Sequence, residues 1–551
     1  MRQKLSWVWI VLCGLVSLAS LAINAHAPMY FDSDAASELI LAKTLLESHH
    51  LIATPAFIYS TELQFFSSQL FMEAGLLVCG GNWLVARIVG TALLMVALVA
   101  SYRYMAKQIG IWERGSWVAG VLLLPFGDYY VRFFLFGTYY VPELCAEFLA
   151  IGACLHAMKQ GKASKLLLVL TGVLGFGFGA NGYRTTLLCC IPAVLAICLC
   201  KFGESSGKTV GERLRNAVAN ARAELVCPAV LGASSVLGTL FNMAVFSKLF
   251  EYLRYGSLEL IPFNFSDFLN LLVNGFVESW GYMGAPDIAQ PEGIGALCSL
   301  VLTCTVFAAT CICIARRRML DARQWCVLVY LWLVLGLSTC MYYLGDRGTT
   351  RYLTLAVVPF IVAVPMAQRT FEGDVWLRRC TSGLVVILMV VQSCGVWFGP
   401  ALGHATSNKP YPKEQLVEWL GEHGYTQGYA TYWNANDIVE ISNGSIDVWA
   451  LQSSSYSGDE PSWEWLEVPS NYRWLEETRH AQEKPQGKVF LVLRAFELEQ
   501  LHELSRVTGE PLVTFAGEKT IRLSGNNYGA EDYAVYEFES ADALLAALSP
   551  A

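Results

Sequence analysis

Residues 5–38 read LSWVWIVLCGLVSLASLAINAHAPMYFDSDAASE. The stretch from Leu5 to Asn24 carries no charge, and about 20 helical apolar residues are what ~30 Å of hydrocarbon requires. Eight positions further on stand Asp32 and Asp34, with Ser33 between them. Carboxylates held close to a bilayer surface lose favourable hydration, so a chain that keeps two of them there has a use for them.

Composition extends this reading to most of the chain. Of 551 residues, 54% are hydrophobic and only 15% charged, which excludes an ordinary soluble domain. About eleven stretches are long and apolar enough to cross a membrane: 5–24, 84–106, 116–134, 139–158, 166–182, 185–201, 225–247, 294–315, 325–344, 352–368 and 381–399. Gly127 and Asp128, and the run Asn181 to Arg184, are candidate hairpin tips or interruptions. Residues 1–399 therefore predict an all-α polytopic membrane bundle.

Basic residues orient the bundle, because short cytoplasmic loops hold an excess of Lys and Arg. With the amino terminus inside, twenty basic residues fall on the cytoplasmic side, and eight remain at the other face or its helix ends. The amino terminus is expected in and the carboxyl terminus out, in a cell membrane. Arg2, Lys4, the apolar run and Ala25-His26-Ala27 also fit a secretory leader, but the length of the run and Pro28 favour a retained first helix. Either way Asp32 faces outward.

Near residue 400 the character changes. Residues 400–551 hold 10 basic and 23 acidic side chains, and all seventeen cysteines precede them. This segment reads as a small soluble extracytoplasmic α/β domain, its acidity speaking against nucleic acid. Strands are expected at 428–433, 488–493, 511–515 and 534–538, helices at 413–423, 497–506 and 540–548.

The first outer loop, 25–83, contains two mixed apolar and charged stretches, 35–47 and 65–78, suited to helices lying along the membrane surface within residues 33–82. The long loop 248–293 mixes Tyr252, Tyr255, Trp280 and Tyr282 with Glu251, Glu259, Asp267 and Glu278, a composition that suits either a carbohydrate cleft or an interfacial aromatic belt. No Walker-type loop, no G-x-G-x-x-G after a strand and no C-x-x-C spacing occurs, which argues against ATP-driven transport, dinucleotide chemistry and a structural zinc site.

An inside amino terminus, one helix, an outer loop opening on Asp32 and Asp34, the run Arg351-Tyr352-Leu353 at the outer end of a late helix, and a soluble domain after the last crossing form one arrangement. It resembles the membrane-embedded C-type (GT-C) glycosyltransferases, which take sugar from a polyprenyl-phosphate carrier. The resemblance covers most of the chain as topology, on short motifs. The family commonly has adjacent Asp-Glu where this chain has Asp-Ser-Asp, so it leaves open which aspartate matches the catalytic base.

The resemblance implies a polyprenyl-phosphate-linked sugar donor within membrane lipids and a cell-envelope glycan, glycolipid or protein acceptor. One aspartate would accept the acceptor's proton as its oxygen attacks, a direct displacement. Arginine suits the departing phosphate; Arg351 with Tyr352 comes first, followed by Arg184, Arg347 and Arg132. Tyr59 and Glu62 are candidate sugar contacts. No cofactor is firmly predicted; two carboxylates two positions apart can hold a divalent cation, though they make a poor site alone. Against this stands the simpler role of capping the helix that begins near Ala35, and a division is conceivable in which Asp34 caps and Asp32 catalyses. A lipid or oligosaccharide flippase is a rival reading, disfavoured because no central ionisable cluster or paired halves stand out; a non-catalytic cell-surface binding protein is another.

Overall fold

The structure, a computed structural model, describes residues 2–27, 30–57, 59, 67–250, 263–282, 290–345, 350–371, 374–407, 410–453, 465–466, 487–499, 519–523 and 531–548. Among them, nine helices are long and apolar enough to cross a membrane: Leu5–Asn24, Trp83–Gln108, Val141–Gln160, Tyr183–Glu204, Val210–Leu249, Glu292–Ala315, Ala322–Leu344, Thr350–Arg369 and Val375–Gly395.

Two of the expected crossings take another form. Segment 116–134 is not one helix: Trp117–Val121 ends, the chain turns through Pro125 and Gly127, and a π-helical turn follows at Val131–Phe136. Pro125 has no N–H to continue a helix, and Gly127 has φ +63°, so the break is local in origin. The other, Lys165–Ala180, is a helix of 16 residues, packed on Val210–Phe241 at very close range. A Cβ on Gly179 would lie 1.9 Å from Ser235 O, and one on Gly238 2.1 Å from Phe176 O. Glycines let these backbones meet where larger residues would hold them apart.

Helix α1 is Arg2–Asn24, α2 Ser33–Glu47, α3 Gln69–Cys79 and α4 Trp83–Gln108. Asp32 caps α2, its side chain accepting from Ala35 N, and Asn82 caps α4 through Val85 N. The apolar residues of α2, Leu39, Ile40, Leu41, Ala42 and Leu45, are buried. Protein fills that face: α3 packs on one side of α2 and the helix Tyr432–Ile441 on another.

The C-terminal part is an α/β unit. Strands β1 (Gln427–Thr431), β2 (Asp447–Ser453), β3 (Trp465–Leu466), β4 (Val489–Arg494), β5 (Lys519–Leu523) and β6 (Glu531–Phe538) form a sheet in the order β3-β2-β1-β4-β6-β5. Strand β1 runs parallel to β2 and β4, and β6 antiparallel to β4 and β5. Helices Pro412–Glu422 and Ala541–Leu548 stand where the pattern predicts them. The expected strand 428–433 stops at Thr431, because Tyr432 already opens a helix whose Ala435, Ile438 and Val439 are buried at helical spacing. The expected strand 511–515 and most of the expected helix 497–506 lie outside the described residues.

Candidate functional site

Asp32 and Asp34 sit on the first turn of α2, and the structure separates their tasks. Asp32 Oδ1 accepts from Ala35 N at 3.0 Å, the helix cap, while its Oδ2 lies 3.8 Å from Arg132 Nε. Asp34 Oδ1 accepts from the hydroxyl of Tyr432 at 2.6 Å. Of the imagined division, Asp34 capping and Asp32 catalysing, the capping half is corrected: Asp32 is the cap. The reason is positional: the residue just before the helix, with extended backbone, is the one whose oxygen reaches the free N–H groups.

Burial pushes the Asp34 carboxyl up to about 6, and the negative charge of Asp32 adds to the rise. The Tyr432 hydroxyl, Arg351 and Arg132 pull the other way. Glu38, one helical turn further along α2, is pushed up to about 7, first by burial, with Ser68 donating to it. Tyr139 beside the pair is held well above the ordinary phenol range by burial and by both aspartates. A half-buried carboxylate that takes a proton near neutrality is a fit proton acceptor.

A chain of cations and aromatic rings leads away from the pair. Arg132 belongs to the π turn Val131–Phe136, with its guanidinium 5.8 Å from the Phe133 ring centre. Arg351 lies over the same ring at 5.1 Å and over Tyr352 at 4.9 Å, and its Nη2 donates to Tyr352 Oη at 3.0 Å. Tyr352 stacks on Tyr342, centroids 4.5 Å apart. Arg184 reaches Tyr140, Tyr352 and Tyr342 at 4.8, 5.5 and 5.9 Å, and pairs with Glu143 at 3.0 Å. Glu147, one turn deeper in the same helix as Glu143, is buried, so ionisable groups cluster at this end of the apolar bundle.

Donors in this chain stand ready for an acceptor. Arg132 Nε, Arg351 Nε, Tyr139 Oη and Tyr342 Oη are buried without a hydrogen-bond partner among the described residues. Buried unmet donors cost about 1–3 kcal/mol each, and converging ones suit an anion with several oxygens.

Local geometry fixes these groups in place. Gly127, with φ +63°, abuts Gly281, with φ +97°, so closely that a Cβ on either would fall 2.6–2.7 Å from the other's Cα. That contact pins the loop before Arg132 to the end of the helix Phe265–Glu278. Glu278 Oε2 accepts from Thr350 Oγ1 and, at 3.5 Å, from Tyr129 Oη, which ties Arg351's neighbour to the same loop. Asp128, raised by burial and opposed by Arg132, belongs to this group.

Of the sequence candidates, Asp32, Asp34, Arg132, Arg351, Tyr352 and Arg184 come together. Tyr59 does not join them: it is buried against Phe57 and Phe250, and its hydroxyl accepts from Thr54 N at 3.1 Å. Glu62 and Arg347 lie outside the described residues, as do Glu251, Tyr252, Tyr255 and Glu259 of the long loop. Trp280 is fully buried and stacks on Phe126, part of the packed core rather than an open cleft. Sequence reading missed Tyr432, Phe133, Tyr139 and Tyr140, and had Glu278 only as one acid of the long loop.

No set of three or more metal-ligating side chains converges among the described residues. Asp32 is committed to Ala35 N and Arg132, and one oxygen of Asp34 to Tyr432.

The α/β unit meets the bundle at this place. Tyr432, Asn436 and Glu440 share one helix face at i, i+4, i+8 spacing. Ser33 Oγ donates to Tyr432 O, Asn436 Nδ2 donates to Ser33 O at 2.8 Å, and Glu440 pairs with Arg87. Past the helix end, Asn443 Oδ1 accepts from Trp83 N at 2.9 Å, a free donor at the start of α4.

No family model matches the chain, and no curated protein matches it in sequence. Among solved structures it is similar to the oligosaccharyltransferase of Archaeoglobus fulgidus in complex with zinc and sulfate, with 12% identity, TM-score 0.41, and 79% of this chain covering 61% of that one. It is similar also to the AglB oligosaccharyltransferase of that organism with an inhibitory peptide and a dolichol-phosphate, at 11% identity and TM-score 0.42, with 80% of this chain covering 64% of that one. A third is the arabinofuranosyltransferase AftD from Mycobacteria, at 12% identity and TM-score 0.43, with 96% of this chain covering 40% of that one. The chain thus spans less than two thirds of the length of each of these glycosyltransferases.

Proposed function

We propose that the protein is a glycosyltransferase that moves a sugar from a polyprenyl-phosphate carrier to an acceptor hydroxyl on the outer face of a cell membrane. One observation carries this: Asp34, a carboxylate whose proton affinity is lifted to about 6, shares a site with Arg132 and Arg351, whose Nε donors are unmet among the described residues. A proton acceptor beside an anion seat is what displacement of a phosphate-linked sugar needs.

Asp34 is the base in this reading and Asp32 the helix cap that also steadies Arg132. Asp34 removes the acceptor O–H proton as that oxygen attacks the anomeric carbon. The bond from that carbon to the phosphate oxygen breaks in the same displacement, and the configuration inverts. Arg351 and Arg132 meet the negative charge growing on the leaving phosphate, where preorganised donors are most effective. Tyr352, stacked on Tyr342, holds Arg351 in place. The polyprenyl tail would remain in the bilayer, at ~0.8 kcal/mol per buried CH₂, so only the sugar phosphate reaches the site.

The membrane bundle of residues 1–399 would present the carrier, and residues 400–551 would form the extracytoplasmic α/β domain over it. The acceptor class is a glycan, glycolipid or protein of the cell envelope.

The test is transfer in proteoliposomes from a polyprenyl-phosphate sugar, with Asp34→Asn and Asp32→Asn made singly. Asp34→Asn is expected to lose transfer, and Asp32→Asn to keep a reduced part of it. Full activity of Asp34→Asn removes the mechanism. A carrier of the same lipid would go on moving its cargo in both variants, which separates the flippase reading.

A further inference from the structure

The hydrogen bond from Tyr432 to Asp34 crosses from one half of the chain to the other, and it lands on the carboxylate rather than beside it. Tyr432 opens the helix Tyr432–Ile441, and its hydroxyl donates to Asp34 Oδ1 at 2.6 Å. Its own carbonyl accepts from Ser33 Oγ, so the backbone on which the ring is mounted is tied to the residue between the two aspartates. Asn436 binds the Ser33 carbonyl from one turn further on. Three contacts therefore register this helix against two consecutive residues at the beginning of α2, Ser33 and Asp34. Helix formation alone asks for none of them, since the first position of a helix needs no hydroxyl.

We infer that Tyr432 is a positioning residue for Asp34, holding one carboxylate oxygen and leaving the other toward the substrate, so that the base is in working order only while the α/β unit is docked on α2. Asp34 Oδ2 has no hydrogen-bond partner among the described residues, which makes it the oxygen available to an acceptor hydroxyl. The groups that face Asp34 come from every element packed around it: Asp32 and Glu38 on α2, Arg132 on the π turn, Arg351 at the start of its helix, Tyr139, and Tyr432 from the α/β unit. A hydroxyl donated to a carboxylate favours its charged form, so Tyr432 keeps Asp34 a usable base at a lower pH than burial alone would allow.

The role of Asp34 as base rests on the proposed transfer, whereas the state of its carboxyl is measured without it. Carbodiimide coupling of an amine, read at Asp34 by mass spectrometry across pH, reports the protonated carboxyl in the purified full-length protein. In the wild type, labelling is expected to fall to half near pH 6. Tyr432→Phe moves that point upward by roughly half to one pH unit, and moves the acid limb of the transfer rate by the same amount. Ser33→Ala, which loosens the seat of the ring without touching the hydroxyl, moves both in the same direction by less. Tyr425→Phe, which removes a hydroxyl donated to Glu537 within the α/β unit, moves neither.

Unchanged labelling and an unchanged acid limb in both Tyr432→Phe and Ser33→Ala overturn the assignment, as does a downward shift. If labelling shifts as expected while the wild type transfers no sugar, the positioning contact stands and the proposed transfer fails.

Discussion

Arg87 and Glu440, 353 positions apart in the chain, meet in a two-pronged ion pair: Nε to Oε1 and Nη2 to Oε2 are each 2.6 Å, with both side chains 2% exposed. The guanidinium also donates to Ala35 O at 2.8 Å and lies 5.7 Å from the Phe31 ring centre. One arginine of α4 thereby gathers the beginning of α2 and the helix Tyr432–Ile441. Removing one partner strands a buried charge, at a cost of about 3–5 kcal/mol. Glu440→Ala should lower the unfolding midpoint of the purified protein accordingly, and Arg87→Met with Glu440→Leu should recover much of the loss. An unaltered midpoint in Glu440→Ala would show that the pair does not join the two halves.

Asp34 gives a pH prediction of defined sign. Its carboxyl rises from 3.8 to about 6 in the folded chain, so the native state binds the proton more tightly than the unfolded one. The stability it contributes is fully present below about pH 4 and is lost as the pH rises through 6. Activity runs the opposite way, because the base must be ionised. Asp34→Asn should therefore stabilise the fold at pH 7 by about 1–2 kcal/mol after allowance for solvent screening, while transfer falls at least ~10²-fold. Calorimetry and a transfer assay on the same preparation check both halves, and a destabilised but active variant contradicts them.

Arg351 is expected to act through its planar fork as well as its charge. Arg351→Ala should lower kcat by roughly 10²-fold and weaken inhibition by polyprenyl phosphate without sugar. Arg351→Lys restores the charge but not the paired donors, so it should recover only part of the rate. Equal inhibition by polyprenyl phosphate in all three proteins would detach Arg351 from the phosphate.

The contact of Gly127 with Gly281 offers a test far from any charge. Either residue changed to Ala meets backbone at 2.6–2.7 Å and takes a positive φ, a conformation that costs ~1–2 kcal/mol even in open space. Gly127→Ala should both destabilise the protein and reduce transfer, since Arg132 follows on the same turn. Gly80→Ala, also at positive φ but with nothing near it, should destabilise less and leave transfer intact.

Apolar length was the legible part of this chain. Leu5–Asn24 and Trp83–Gln108 could be read directly because nothing in them competes with a crossing helix. Segment 116–134 deceived by composition, because residues 118–126 are apolar and buried yet turn around Pro125 and Gly127 instead of crossing as one helix. The acidic pair was visible through its placement, but the division between Asp32 and Asp34 was not. It depends on where α2 starts to within one residue, and helix starts are the least certain feature of a sequence. Arg184 and Arg351 could be named from their charge; their gathering around Tyr140, Tyr342 and Tyr352 is long-range and leaves no local pattern. Tyr432 was hidden in a run read as strand. The apolar spacing of Ala435, Ile438 and Val439, closed by Asn443-Gly444, was the signal that could have revealed its helix.

The face presented by Tyr432, Asn436 and Glu440, with Asn443 at its end, makes the two halves of this protein a matched set. A C-terminal unit borrowed from elsewhere would bring the wrong groups to Asp34, Ser33, Arg87 and Trp83, and would fail as a graft even if each half folded well. Diversification by swapping whole tails is closed to such an architecture unless these four positions travel with the tail. New acceptor preferences must instead arise by piecemeal change elsewhere on the sheet unit, with this seam left intact.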